Sequence, residues 1–207
     1  MKEVQRAVLD GRADVAVHSA KDLPTEGDPG LVVGAWCVRR DSRDALVGSN
    51  LKALADGATV ATGSVRRRAQ LNAIRPDLRF AELRGNIGTR LERVPMGGAI
   101  VLTDRITEFL DPATFVPMVG QGCVAVEHRF GDGRLRNALA TIDDATTRHA
   151  VETERAFLRV LGSGCSLPVG AHVDESNVIT TFLATGDPVT GERVTSVVMQ
   201  ADVSDPD

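Results

Sequence analysis

The chain has 207 residues, 43% of them hydrophobic and 25% charged, with a formal net charge of −4. That length allows one or two domains with a real core, while an acidic chain with 3% aromatic residues lacks the basic, stacking surface that nucleic acid requires. No apolar run reaches the roughly 18 residues of a membrane span, and the opening "MKEVQRAVLDG" is charged and amphipathic rather than a signal peptide. A cytoplasmic protein without a membrane partner is the expectation.

The first elements are a helix over 2–10 and a short strand over 13–19. Asp14-Val15-Ala16-Val17 is a continuous run of small and β-branched residues, which suits an interior strand covered on both faces. It runs into His18, Ser19, Lys21 and Asp22. Ligands sit at the carboxyl ends of strands in open α/β sheets, so Lys21-Asp22 is either a solvated turn or the edge of a site. A turn rich in Pro24, Gly27, Pro29 and Gly30 leads into a second strand, "LVVGAWCV", over 31–38. "RRDSRDAL" (39–46) reads as a polar crossing between domains.

Residues 58–74 read as strand, turn and helix, and 78–94 repeat that grammar. Residues 99–110 give another strand and then a helix over "TDRITEFL". A Gly-Gln-Gly turn precedes a strand ending near 129. Residues 144–161 form an amphipathic helix with Val151, Phe157, Leu158 and Leu161 on or near its apolar face. A Gly-flanked cysteine loop follows, and residues 178–203 read as a hairpin about the turn "GDPVTGE". Alternating strand and helix signals indicate an α/β architecture.

Cys37, Cys123 and Cys165 form no C-x-x-C pair, which argues against a disulfide framework or a zinc site. Cys37 and Cys123 lie among apolar residues as small core hydrophobes. His18 reads as a structural hydrogen-bonding residue, and His128, His149 and His172 have no ligand spacing, so no metal is expected.

Charge is unevenly spread. Between 61 and 90 stand seven arginines (66, 67, 68, 75, 79, 84 and 90) against Asp77 and Glu82, a local charge of +5. Ser64 can cap a helix whose first turn holds Arg66, Arg67 and Arg68. A helix start favours anions, so arginines there are unfavourable unless an anion meets them. Arg84, Gly85-Asn86 and Arg90 repeat the pattern, and Ser19, Lys21 and Asp22 make a third charged turn. Three such turns suit a ligand with several carboxylates, or a solvated surface.

Five segments in this order, "VHSAKDLPT", "GSVRRRAQL", "LRGNIGTRL", "VGQGCVAVE" and "ERAFLRVLGSGCSLPVGAH", resemble the hydroxymethylbilane synthase (porphobilinogen deaminase) family over nearly the whole chain. The resemblance implies two periplasmic-binding-protein-like α/β domains, the first incomplete here, plus a small C-terminal α/β domain. The implied bounds are 1–40 with 121–143, then 41–120, then 144–207. It also implies a transferase of porphyrin and haem biosynthesis that condenses four porphobilinogen molecules head to tail, releasing ammonia. Its partners would be porphobilinogen and the growing polypyrrole, acting on a dipyrromethane cofactor bound covalently to Cys165. Asp22 matches the catalytic carboxylate, kept ionised with help from Lys21. Ser19, Lys21, Ser64, Arg66, Arg67, Arg84, Gly85 and Arg90 match cofactor- and side-chain-carboxylate-binding positions.

The match has gaps. About sixty residues of the family's N-terminal strand region, a short segment between "AIVL" and "TDRITEFL", and the last helix have no counterpart here. Arg105 does not align with the arginine of that segment, and Gly63 stands where the family has serine. The expectation is therefore a monomeric synthase, unless an N-terminal fragment complements it. The alternatives are a shortened, catalytically impaired paralogue that binds anions or tetrapyrroles, and a generic periplasmic-binding-like sensor.

Overall fold

The computed structural model describes residues 2–83, 106–162, 168–186 and 195–204. In chain order, helix α1 (Lys2–Leu9) leads to β1 (Val15–Ser19), a 3-10 turn (Ala20–Asp22), β2 (Leu31–Trp36), β3 (Ala45–Val47) and β4 (Thr59–Ala61). Then come α2 (Val65–Ile74), β5 (Arg79–Ala81), β6 (Ile106–Phe109), β7 (Val124–Arg129), α3 (Gly133–Leu139) and α4 (Ala145–Val160). Strands β8 (Val169–Val173), β9 (Val178–Thr185) and β10 (Thr195–Asp202) follow, completing an α/β arrangement of small sheets.

β7 lies between β1 and β2 and is antiparallel to both. Helix α1 covers one part of this sheet through Val8, Ala16 and Leu31, and α3 another through Ala35, Val126 and Leu139. The sheet's other face packs Ala20, Leu23, Trp36, Cys123 and Ala125 against Val151 of α4. The expectation of an interior strand at 13–19 is corrected. β1 is an edge strand of the described sheet, and its burial alternates so that Val17 is 62% exposed. A run of valines and alanines does not distinguish a strand covered on two faces from one covered on one.

β4 and β5 run parallel with α2 as the crossover, the strand–helix–strand unit read from residues 58–81. Leu46, Val60, Leu71, Leu78, Leu110 and Phe115 fill the core beneath it. The helix expected over "TDRITEFL" is also corrected. Ile106–Phe109 is a strand, antiparallel to β3, with burial alternating along it. Ile106, Thr107 and Phe109 are strand formers with a period of two, and pairing with β3 satisfies their backbone. The last sheet has the order β10-β9-β8, all antiparallel. It packs on α4 through Val119, Ala150, Ala171, Val173 and Ile179. Strand β8 and helix α3 were not anticipated, whereas α4 and the β9–β10 pairing were.

Cys123 is 3% exposed, and burial pushes its thiol up to about 11, which keeps it protonated and inert. Cys37 belongs to the apolar cluster on the opposite face of the same sheet.

Candidate functional site

β1 delivers the Ala20–Asp22 turn onto the segment that precedes β7. The Ala20 amide donates to the Cys123 carbonyl at 2.9 Å, and Ala20 and Leu23 are both buried. Gly120 makes this approach possible. Its φ is +69°, and a Cβ there would stand 3.0 Å from the Ala20 Cβ and 3.2 Å from the Lys21 nitrogen. With its flanks pinned, the turn leaves Lys21 half-buried and Asp22 exposed. Neither side chain has an ion pair or hydrogen bond among the described residues. Ser19, also exposed, precedes the turn without capping it.

The arginine turn is built the opposite way. Ser64 caps α2 by accepting from the Arg67 amide at 3.4 Å, as its position suggested. Asp44, only 2% exposed, lies 2.8 Å from Arg66 Nη1 and 2.7 Å from Arg67 Nη2. Burial alone would raise the Asp44 pKa, but the two guanidinium charges hold it below the ordinary carboxylate value. Arg66 also donates to the Val116 carbonyl at 2.5 Å, and its Nε is buried without an acceptor. Arg68 donates to the Thr62 carbonyl and to Glu82. The anion that these cations require is thus supplied first by the protein. Two arginines against one aspartate still leave one net positive charge.

A second buried carboxylate ties the elements together. Glu154 of α4 is fully buried and accepts from Arg39 at 2.6 Å, from the Gly120 amide at 2.8 Å and from the Val173 amide at 2.9 Å. His172 Nδ1 lies 3.6 Å away. Burial pushes the Glu154 pKa up, but His172, Arg39 and the Gly120 amide outweigh it, so the carboxyl is held below the usual glutamate value. His18 Nε2 is buried 2.9 Å from Glu127 but makes no hydrogen bond there, so the hydrogen-bonding role expected of His18 is corrected to charge proximity alone; Glu127 accepts from Gln5.

Between these devices lies a cleft. Lys21, Leu23, Ser64, Arg66, Val119, Arg155, Leu158 and Val169 are among its lining residues. Of the sequence-predicted site residues, Lys21, Ser64 and Arg66 line it directly, and Asp22 and Ser19 adjoin it through the same turn. Arg67 faces a separate pocket beside Asp44, Leu46 and Phe115. Arg84, Gly85, Arg90 and Cys165 lie outside the described residues.

Sequence reasoning missed Asp44, Glu154 and Arg155. Asp44 was hidden in a stretch that looked like a solvated crossing. Glu154 carried a legible signal, a carboxylate on the same stripe as Thr147, Ala150 and Val151, all buried. A charge on the apolar face of a helix implies a buried partner.

Comparison with known proteins gives a consistent picture. Residues 1–137 match the family model described as porphobilinogen deaminase, dipyromethane cofactor binding domain, and 149–205 match its C-terminal domain. Curated porphobilinogen deaminases from Syntrophobacter fumaroxidans, Roseiflexus castenholzii and Thermus thermophilus are 41%, 46% and 44% identical over 90%, 82% and 86% of this chain. The chain spans 66%, 61% and 65% of the length of those relatives.

Proposed function

The chain belongs to the porphobilinogen deaminase family, and on that premise we propose that it is a hydroxymethylbilane synthase. Its substrate would be porphobilinogen, and four molecules would be condensed head to tail with loss of ammonia. In each condensation the methylene–nitrogen bond breaks and ammonia departs, leaving a cationic, electron-poor methylene. A carbon–carbon bond then forms to the free α-carbon of the neighbouring ring, whose α-proton is released. The observation that carries this reading is the contrast within the cleft. Its arginine turn is neutralised in part by Asp44, while Lys21 and Asp22 have no protein partner among the described residues.

Asp22 is the residue we assign to stabilising the cation, by its charge and by accepting pyrrole N–H bonds. It is exposed at the edge of the cleft rather than buried, so a ring can reach it without displacing a side chain. Lys21, Arg66 and the capped start of α2 supply positive charge for the acetate and propionate groups. Leu23, Val119, Leu158 and Val169 provide the apolar walls that pyrrole rings require.

The residues fit a dipyrromethane, which combines apolar rings with several carboxylates. The unpaired buried Nε of Arg66 and the net positive charge of its cluster support that fit. When bound, such a group supplies the pyrrole primer for chain growth. Cys165 is its proposed attachment point. In sequence Cys165 stands between Leu158 of α4 and Val169 of β8, two residues that both line the cleft. Ser19, Ser64, Arg67, Arg84, Gly85 and Arg90 are proposed as further contacts to the cofactor or polypyrrole.

We also propose the division into 1–40 with 121–143, 41–120, and 144–207, the first two periplasmic-binding-protein-like. Two chain crossings between the first pair, at 37–44 and 116–123, are consistent with it. The test is the intact mass of the purified chain after exposure to porphobilinogen or hydroxymethylbilane. An added dipyrromethane that disappears in Cys165→Ser is expected. Unmodified parent protein would remove the assignment of Cys165, and cleft binding without ammonia release would favour a non-catalytic module.

A further inference from the structure

Arg155 of α4 lines the cleft. One end of its guanidinium, Nη2, donates to the carbonyls of Pro24 at 2.6 Å and Thr25 at 3.3 Å, just beyond the Lys21-Asp22 turn. Its Cζ stands 6.0 Å from the centroid of Trp36, the chain's single tryptophan. Nε and Nη1 have no acceptor among the described residues, and no carboxylate forms an ion pair with Arg155. The nearby acids are engaged elsewhere. Glu152 accepts from the Trp36 indole and from Arg148, and Glu127 accepts from Gln5.

Carbonyl oxygens satisfy hydrogen bonds but do not neutralise a cation. Burial, followed by repulsion from Arg159, disfavours the Arg155 charge more than attraction to Glu127 and Glu152 favours it, so this position would gain from an incoming anion. Arg66 already has Asp44, whereas Arg155 has no acid of its own.

We infer that Arg155 is a carboxylate anchor of the cleft, holding an acetate or propionate of the pyrrole ligand by its charge and by a single N–H donor, Nε or Nη1, that the described residues leave free. This role rests on the condensing function proposed above. Nη2 meanwhile fastens the backbone after Asp22, so the same side chain would couple ligand capture to the position of the catalytic turn.

The test uses the full chain and an unreactive probe, a pyrrole bearing acetate and propionate groups with methyl in place of aminomethyl. Its dimethyl ester is the control. Calorimetric titration of the diacid should give affinity about tenfold to a hundredfold weaker in Arg155→Met than in the parent, the scale of a charged hydrogen-bonding pair. The diester should bind parent and variant within about twofold, since it offers no charge for the fork. If Arg155→Met fails to fold, Arg155→Lys carries the test. Its point charge should bind the diacid about threefold to tenfold more weakly than the planar fork, with the diester unchanged. Diacid affinity equal to the parent's in the folded variant, with only a lowered thermal midpoint, would make Arg155 a structural clasp and overturn the inference alone. A parent that binds neither probe would overturn the condensing function itself, and the anchor with it.

Discussion

The two charged turns of the cleft look alike in sequence and are opposite in construction. At Ser64–Arg68 every arginine finds an acceptor within the protein, and Asp44 takes two of them at once. At Lys21–Asp22 the backbone is pinned by Ala20, Leu23 and Gly120 while both charged side chains stay uncommitted among the described residues. The difference teaches that a cationic turn is not by itself a ligand site. Part of its charge can be consumed in holding the fold, and the uncommitted remainder is what chemistry can use. The same division recurs inside Arg155, whose Nη2 is tied to backbone carbonyls while Nε and Nη1 have no acceptor among the described residues.

The sharpest way to break this comparison is Asp44→Ala. It leaves two arginines facing each other beneath the cleft, one of them 5% exposed. Loss of one partner from a buried ionic cluster should cost about 3–5 kcal/mol, read from denaturant unfolding. Sulfate should recover part of that loss by substituting for the carboxylate. A change below about 1 kcal/mol would mean that the arginines do not depend on Asp44.

Acid titration probes the same cluster. The folded Asp44 pKa lies below its unfolded value, so its stabilisation is fully present above about pH 4 and is lost as the pH falls through the lower folded value. Glu154 behaves in the same sense, since its folded value is also depressed. The acid limb of unfolding should therefore flatten in Asp44→Ala relative to the parent. An unchanged limb would show that other carboxylates carry the acid sensitivity.

Smaller effects sharpen the contrast. Ser64→Ala removes the cap of α2 and should cost about 1 kcal/mol in unfolding free energy. Lys21→Met should alter stability by less than about 0.5 kcal/mol, because no protein group answers its charge. Its effect should appear instead in weaker binding of a pyrrole diacid. A stability loss as large as that of Ser64→Ala would place Lys21 among the structural charges.

Much of this architecture was legible because local signals agreed. Ser64 before a helical run marked the start of α2, and the apolar stripe of Val151, Phe157, Leu158 and Leu161 marked α4. Gly120 and Gly122 announced a tight segment, and each has positive φ with backbone of another element close by. Errors arose where tertiary pairing decides. Ile106–Phe109 is helical or extended by its residues alone, and β3 makes it a strand. The edge position of β1 is fixed by which neighbour it finds. Within the site, types and positions of Lys21, Asp22, Ser64 and Arg66 could be read from motifs, but the pairing of Arg66 and Arg67 with Asp44 could not. It joins residues more than twenty positions apart across a stretch that reads as solvated.

The central claim, that Asp22 is kept free for chemistry while its surroundings hold the fold, is tested most directly by Asp22→Asn. Porphobilinogen-dependent ammonia release and thermal unfolding should be measured side by side on parent and variant. The expected result is an active parent, a variant slower by about 10²–10³-fold, and thermal midpoints that coincide. Equal rates in parent and variant, or a loss of rate matched by a loss of folding, would contradict it.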